Sequence, residues 1–334
     1  MSAVIEVKNL KKHFDVPGGV LHAVDGVSFK VEQGTTIGIV GESGCGKSTL
    51  GRTIIHLEES TDGEMFFRGE DVTRLKRRDL KKFRERVQMI FQDPYASLNP
   101  RMTIEEIVQE PLWLSGRYPK AQLDEAVAKL MDRTGVEERL RRSYPHELDG
   151  GRRQRVGIAR ALALDPDFIV CDEPVSALDV SIQAQILNLL MDIQASDGLT
   201  LMFITHDLSV VRHISDAIGV MYLGQMVEMG SAEALFNRPL HPYTKALLSA
   251  VPSIDIHNPG RRVVLKGELT SPINPGPGCR FRSRCPHADR RCKENQQLAE
   301  VGEGYFVACD RLSEINDQDN AVRNHRGKER GTKI

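Results

Sequence analysis

The sequence predicts an α/β protein with a largely parallel sheet, a helical insertion and a cysteine-rich C-terminal segment. Three observations carry that reading. Short, β-branched apolar runs alternate with stretches of helical period. A glycine-rich loop stands between one such strand and one such helix. Beyond about residue 236, Pro239, Pro242, Pro252, Pro259, Pro272, Pro275 and Pro277 interrupt regular elements.

Taken in order, Val4-Ile5-Glu6-Val7 alternates as a strand and 27–31 reads as a second. Residues 36–40 are short and apolar, as a strand buried on both faces should be. A helix follows over about 46–57. Arg74, Lys76, Arg77, Arg78, Lys81, Lys82, Arg84 and Arg86 alternate with Asp79 and Glu85, which reads as a solvated helix face. Residues 87–91 form a buried strand. From about 100 to 163 the pattern is helical, with Leu123, Val127, Leu130 and Met131 on one face. Strands then fall at 168–171, 201–204, 217–222 and 226–229, and helices at 182–193 and 208–214. Residues 313–334 are polar and expected to be disordered.

Composition narrows the class. The 334 residues hold 45 Lys plus Arg against 46 Asp plus Glu, a net charge of −1, with 40% apolar and 5% aromatic residues. That excludes a disordered or fibrous chain and argues against a nucleic-acid partner. No apolar run approaches the ~20 residues that span a bilayer. The first residues lack the basic-then-apolar order of a secretion signal. A cytoplasmic location is expected, with any membrane reached through partners.

Gly41-Glu42-Ser43-Gly44-Cys45-Gly46-Lys47-Ser48 fits the G-x-x-x-x-G-K-[ST] pattern, between a strand and a helix. Glycines let backbone N–H groups converge on phosphates, and the helix N-terminus adds partial positive charge. Lys47 reaches the β- and γ-phosphates, and the Ser48 hydroxyl ligates Mg²⁺, with Thr49 beside it. Cys45, at a helix N-terminus, is expected to have a lowered thiol pKa. The apolar strand before Asp172-Glu173 supplies the complementary half. Asp172 holds Mg²⁺ through its water shell, and Glu173 is the general base for the attacking water.

With these residues in place, the chain resembles the ATP-binding cassette ATPases over about residues 3–255. Residues 87–101, VQMIFQDPYASLNPR, resemble the family's glutamine loop. The resemblance implies that Gln92 touches Mg²⁺ and the lytic water, and that the next residues face a coupling helix of a membrane subunit. Ser176-Ala177-Leu178-Asp179 resembles the D-loop, and Thr205-His206-Asp207 the switch region, with His206 as γ-phosphate sensor. The resemblance makes Phe14 the candidate adenine-stacking aromatic, with His13 and His22 as weaker candidates and a plain core role for Phe14 as the alternative. The implied fold is a P-loop NTPase (RecA-like) core with an antiparallel β subdomain and a helical insertion. The nucleotide-binding domain covers 1–236, with its helical subdomain at about 95–163.

The sequence departs from this family at its signature. In place of Leu-Ser-Gly-Gly-Gln stands Leu148-Asp149-Gly150-Gly151-Arg152. In such ATPases the signature of one subunit closes on ATP held by the other. An ionised Asp149 cannot donate a hydrogen bond to a γ-phosphate and repels it. It is nonetheless a good helix N-cap, and Arg152 can neutralise it in part. A heterodimer is therefore expected, in which this chain's Lys47, Asp172, Glu173 and His206 stay competent and its signature completes a poor site.

The run from Arg238 to Leu248 resembles the C-terminal extension of oligopeptide and dipeptide importer ATPases, placing an extension over 237–312. Cys279, Cys285, Cys292 and Cys309 can hold Zn²⁺ or a [4Fe–4S] cluster, or stand unliganded, and His287 can replace one ligand. The resemblance implies the cluster. Basic residues outnumber acidic ones between 261 and 294 and are expected to offset its charge. The implied function is an ATPase energising di- or oligopeptide import. Its partners are two transmembrane permease subunits, a second cassette ATPase and, indirectly, a substrate-binding protein. The chain is expected at the cytoplasmic face of the membrane. Alternatives are a nickel or other small-solute importer ATPase, a soluble cassette ATPase and a non-hydrolysing regulatory cassette.

Overall fold

The computed structural model describes residues 3–251 and 271–315, with 263, 265 and 267 between them. The chain opens with a hairpin of two long strands, β1 (Ala3–Val16) and β2 (Gly19–Glu32), then β3 (Thr36–Val40), α1 (Lys47–Ile54), β4 (Asp62–Phe67) and β5 (Glu70–Asp71). Next come α2 (Arg77–Arg86), β6 (Val87–Ile90), α3 (Pro94–Ser97), α4 (Ile104–Ser115), α5 (Lys120–Arg133) and α6 (Gly150–Leu162). The core resumes with β7 (Phe168–Asp172), α7 (Val180–Asp197), β8 (Thr200–Ile204), α8 (Leu208–Ile214), β9 (Ala217–Tyr222) and β10 (Gln225–Ser231). Helices α9 (Ala232–Asn237) and α10 (Pro242–Ser249) and the small strands β11 (Ala299–Gly302) and β12 (Tyr305–Val307) complete it.

Two sheets organise these elements. An antiparallel sheet has the order β2-β1-β4-β5, the expected β subdomain. A larger sheet has the order β11-β12-β10-β9-β3-β8-β7-β6. Its strands β6, β7, β8, β3 and β9 are all parallel. Every residue of β3, β7 and β8 is buried, which is why they read as unbroken apolar runs rather than alternations. The basic face of α2 is exposed as expected, with Phe83 its buried residue.

The insertion between β6 and β7 is helical, and its boundaries follow local chemistry. Thr103 and Glu106 form a capping box at the start of α4, and Gly116 at φ 70° ends it. Leu123, Val127, Leu130 and Met131 of α5 are buried together, as the spacing predicts.

The C-terminal segment is joined to the core rather than appended to it. β12 pairs with β10 through Glu228↔Val307 and Met229↔Phe306, extending the central sheet. Phe281 is 1% exposed and packs on Tyr222 and Tyr243, with ring centroids 5.2 and 5.4 Å away. The buried carboxylate of Glu228 accepts the backbone N–H of Leu240 and His241 and the Tyr305 hydroxyl, tying β10, α10 and β12 together. Pro242 departs from expectation: it opens α10 at its first turn, where a missing N–H costs nothing. Pro252 and Pro259 lie outside the described residues. Ordered structure continues past 313, since Ile315 is buried and Glu314 pairs with Arg291 and Arg311. The rest of the expected tail, 316–334, lies outside the described residues.

Candidate nucleotide and cysteine sites

The loop between β3 and α1 is shaped by glycine. Gly41, Gly44 and Gly46 adopt φ of 155°, 76° and 103°. A Cβ on Gly46 would collide with the Ala23 carbonyl oxygen, and one on Gly41 with that of Met221. The backbone thus curls around an opening at the start of α1. Lys47 is buried, and its ammonium donates to the carbonyls of Gly41 (2.8 Å) and Glu42 (3.0 Å).

The acids arrive from the end of β7. Ser48 Oγ donates to Asp172 Oδ1 at 2.7 Å. The other carboxylate oxygen of Asp172 is buried without a hydrogen bond, and Arg52 stands 3.7 Å from it. Burial pushes the Asp172 carboxyl up, against the pull of the Ser48 hydrogen bond and the Arg52 guanidinium. A hydroxyl beside a buried, half-satisfied carboxylate is a donor set that suits Mg²⁺. Glu173 sits at φ 46°, a left-handed conformation that is costly for a side-chain-bearing residue. Its backbone is fixed by donation to Ile204 O (2.9 Å) and by acceptance from Ser176 N and Oγ. Gln92 Nε2 donates to Glu173 Oε2 at 2.9 Å, and His206 Nδ1 lies 3.3 Å from Oε1.

These groups share one cavity of about 440 Å³, lined among others by Phe14, Ser43, Gly44, Gly46, Lys47, Ser48, Thr49, Gln92, Glu173 and His206. Of the weaker base candidates, His22 lines it; His13 stacks on His22 at 3.9 Å instead. Leu21, Gly224 and Pro272 also line it, and no local pattern marks them. Another cavity, of about 480 Å³, lies on the helical insertion near Leu112 and Lys129 and holds none of the motif residues.

One expectation is reversed. Cys45 is 1% exposed, and burial pushes its thiol up, overcoming the nearby Lys47. Asp149, Gly150, Gly151 and Asp179 do not line the cavity. They lie together elsewhere: a Cβ on Gly150 would meet Leu178 and one on Gly151 would meet Ile182, while Asp179 caps α7 through Ile182 N–H. Asp149 Oδ1 accepts the Arg152 N–H at 2.8 Å, and Oδ2 faces Arg152 Nη1 at 3.1 Å. Arg152 also donates to Glu137 at 2.8 Å, so this cation stands between two carboxylates.

In the extension, Cys292 is buried and Cys279, Cys285 and Cys309 are half-buried. Burial pushes the Cys279 thiol up to about 11, with contributions from each of the other three. Cys285 and Cys309 are also pushed up, mainly by burial, and feel their neighbours in turn. The four thus lie near enough to act on one another's charge. Among the described residues, only His13, His22 and Asp25 form a set of three His, Cys, Asp or Glu ligand atoms within 4.8 Å of each other. A tetrahedral zinc would draw its sulfurs to about 3.8 Å of one another. Among the described residues, neither the four sulfurs nor His287 belong to a set that close. Three basic residues of the 261–294 stretch are held by carboxylates, while Arg311, beyond it, pulls the Cys285 and Cys309 thiols down against burial. Arg280 pairs with Asp25, Arg284 with Glu42, and Arg291 with Asp289 and Glu314.

The comparisons agree with this geometry. A family model described as ABC transporter matches residues 24–176, and one described as the oligopeptide/dipeptide transporter C-terminal region matches 227–292. The chain belongs to the ABC transporter family. YkfD of Bacillus subtilis, named for oligopeptide transport and ATP binding, is 53% identical over 92% of this chain and 94% of its own length. The oligopeptide transport ATP-binding protein OppF of Salmonella typhimurium is 49% identical over 92% of this chain and 95% of its own. The dimeric post-hydrolysis structure of the ATP-binding cassette MJ0796, bound to ADP and Pi, superposes with a TM-score of 0.64 at 30% identity. It covers 68% of this chain and 98% of that one. This chain is thus an ABC-type ATPase, and among the described residues no helix is long and apolar enough to cross a membrane.

Proposed function

We propose that this chain is the ATP-hydrolysing subunit of a di- or oligopeptide importer. It would be held at the cytoplasmic face of the membrane by two transmembrane permease subunits and paired with a second cassette. The observation that carries the reading is one cavity where Lys47, Ser48, Gln92, Glu173 and His206 converge, in a chain whose residues 227–292 match the peptide-transporter extension.

In this reading the triphosphate takes Lys47 from the Gly41 and Glu42 carbonyls, and the loop N–H groups hold the phosphates. Ser48, Asp172 and Gln92 would hold Mg²⁺, which when bound neutralises phosphate charge. Gln92 and His206 orient Glu173. Glu173 takes a proton from water as the water oxygen bonds to the γ-phosphorus and the bond to ADP breaks. His206 reports the γ-phosphate, and Phe14 stacks on the base. Asp149 through Gly151 and Asp179 act in trans on the partner's nucleotide, where Asp149 weakens the site and favours a heterodimer. The residues after Gln92 would face a permease coupling helix, and the exposed Tyr95 among them, 55% accessible, suits such a contact. A substrate-binding protein would act on the far side of the permease. Cys279, Cys285, Cys292 and Cys309 would hold a [4Fe–4S] cluster with a structural role, Zn²⁺ being the alternative; iron, sulfide and zinc analysis separates them. The functional test is isolation of the complex from membranes. Permease subunits and peptide-stimulated ATPase activity support import, whereas ribosomes or nucleic acid in their place would overturn it.

A further inference from the structure

The cysteine-rich extension grips the loop that receives the phosphates. Glu42 is the second residue of that loop. Its backbone N–H donates to the buried Tyr243 hydroxyl at 2.9 Å, and its carboxylate accepts Arg284 Nη1 at 2.7 Å. Arg284 adjoins Cys285, and the two paired side chains are only 10% and 22% exposed. Arg280, adjoining Cys279, pairs with Asp25 and donates to the Leu223 carbonyl. A third hold lies at the cavity rim: His22 N–H donates to Pro272 O at 3.0 Å, and both residues line the cavity.

A carboxylate carried by the loop that cradles phosphate, even one that does not line the cavity, opposes an anionic ligand. Glu42 carries one negative charge a few residues from Lys47, in a partly buried site where charges act strongly. The cation that cancels it comes from 242 residues away in sequence, on the extension. We propose that Arg284 is a positioning residue of the nucleotide site, neutralising Glu42, so that nucleotide affinity and seating of the cysteine-rich extension are linked. The inference rests on the cradle binding a nucleoside triphosphate. Coupling of this kind is reciprocal: what the extension lends to nucleotide binding, bound nucleotide returns to the extension.

The test is a charge ladder in the full chain with its partner subunits, read as affinity for a slowly hydrolysed ATP analogue with Mg²⁺. Relative to the parent pair, Glu42→Gln makes the local charge more positive, Arg284→Gln more negative, and the double variant restores it. The expected order is Glu42→Gln tightest, parent and double variant within about threefold of each other, and Arg284→Gln about tenfold weaker than parent. A merely structural role predicts instead that the double variant is at least as weak as Arg284→Gln, and that result would overturn the proposal. The second readout is hydrogen exchange. The amides of Cys279, Arg282 and Arg284 donate to carbonyls within the extension. Nucleotide should slow their exchange in the parent and not in Arg284→Gln. Equal exchange with and without nucleotide in the parent would also overturn it. If the parent fails to bind the analogue, the nucleotide reading itself falls. If it binds and the ladder is flat, only the linkage falls.

Discussion

Replacing Asp149 by Ser or Asn should raise ATP turnover at the partner's site without disturbing the fold. Ser and Asn cap helices about as well as Asp, so the start of α6 is kept. What changes is charge. A carboxylate about 4 Å from a phosphate oxygen at an effective dielectric near 20 costs about 4 kcal/mol per charge pair. Asp149 is 58% exposed and Arg152 stands 3.1 Å away, so most of that is screened. A residue of about 1–2 kcal/mol remains, roughly 5- to 30-fold in rate. The assay is single-turnover hydrolysis in the assembled heterodimer, with this chain's own site silenced by Glu173→Gln so that only the partner's site reports. Both replacements remove the charge and can donate a hydrogen bond, Ser through its hydroxyl and Asn through its amide, so both should gain. Rates within twofold of the parent for both variants would refute the reasoning, as would ordinary ATPase activity in a homodimer.

Glu173→Gln should cut turnover by about 10²- to 10⁴-fold while leaving nucleotide bound, which equilibrium binding beside steady-state ATPase assays will show. Phe281→Ala should cost about 3–5 kcal/mol and lower the melting temperature of the nucleotide-binding core with that of the extension, because the ring is shared packing. His241 is buried, caps α10 through Nδ1, and is held down to about 3 by burial. Its folded pKa lies below its unfolded value near 6.5, so its contribution is present above about pH 6.5 and is lost as pH falls toward 3. At pH 5 the loss is of order 2 kcal/mol. Thermal melts at pH 7 and 5 should show it, and His241→Asn, which keeps a capping acceptor, should flatten the difference. Cys45 should resist iodoacetamide at pH 7 and react faster only as pH rises, since its thiol is pushed up; rapid labelling at pH 7 would contradict that.

The nucleotide site was legible because its signals are local. Lys47 and Ser48 follow the loop glycines in one turn, and Asp172 and Glu173 end an unbroken apolar strand. Strands with both faces buried, such as β3 and β8, announce themselves the same way. The hairpin was caught only at 4–7 and 27–31, because its outer half, around His13 and Leu21, is half-exposed on both faces and gives no alternation. β4 buries only Met65 and Phe67, and β5 is two exposed residues, so neither carries a strand pattern long enough to read. Cys45 was misjudged because helix-end charge and burial oppose each other, and burial is visible only in three dimensions. Arg284 and Glu42 make the same point at longer range: two ordinary surface-type residues, paired only by the return of the extension onto the loop.

The most direct test of the central claim is peptide uptake into vesicles containing the complete complex, driven by internal MgATP, with parent and Lys47→Ala subunits compared. The account predicts uptake by the parent and near-background uptake by the variant, although the variant still assembles. Equal uptake by both would contradict it.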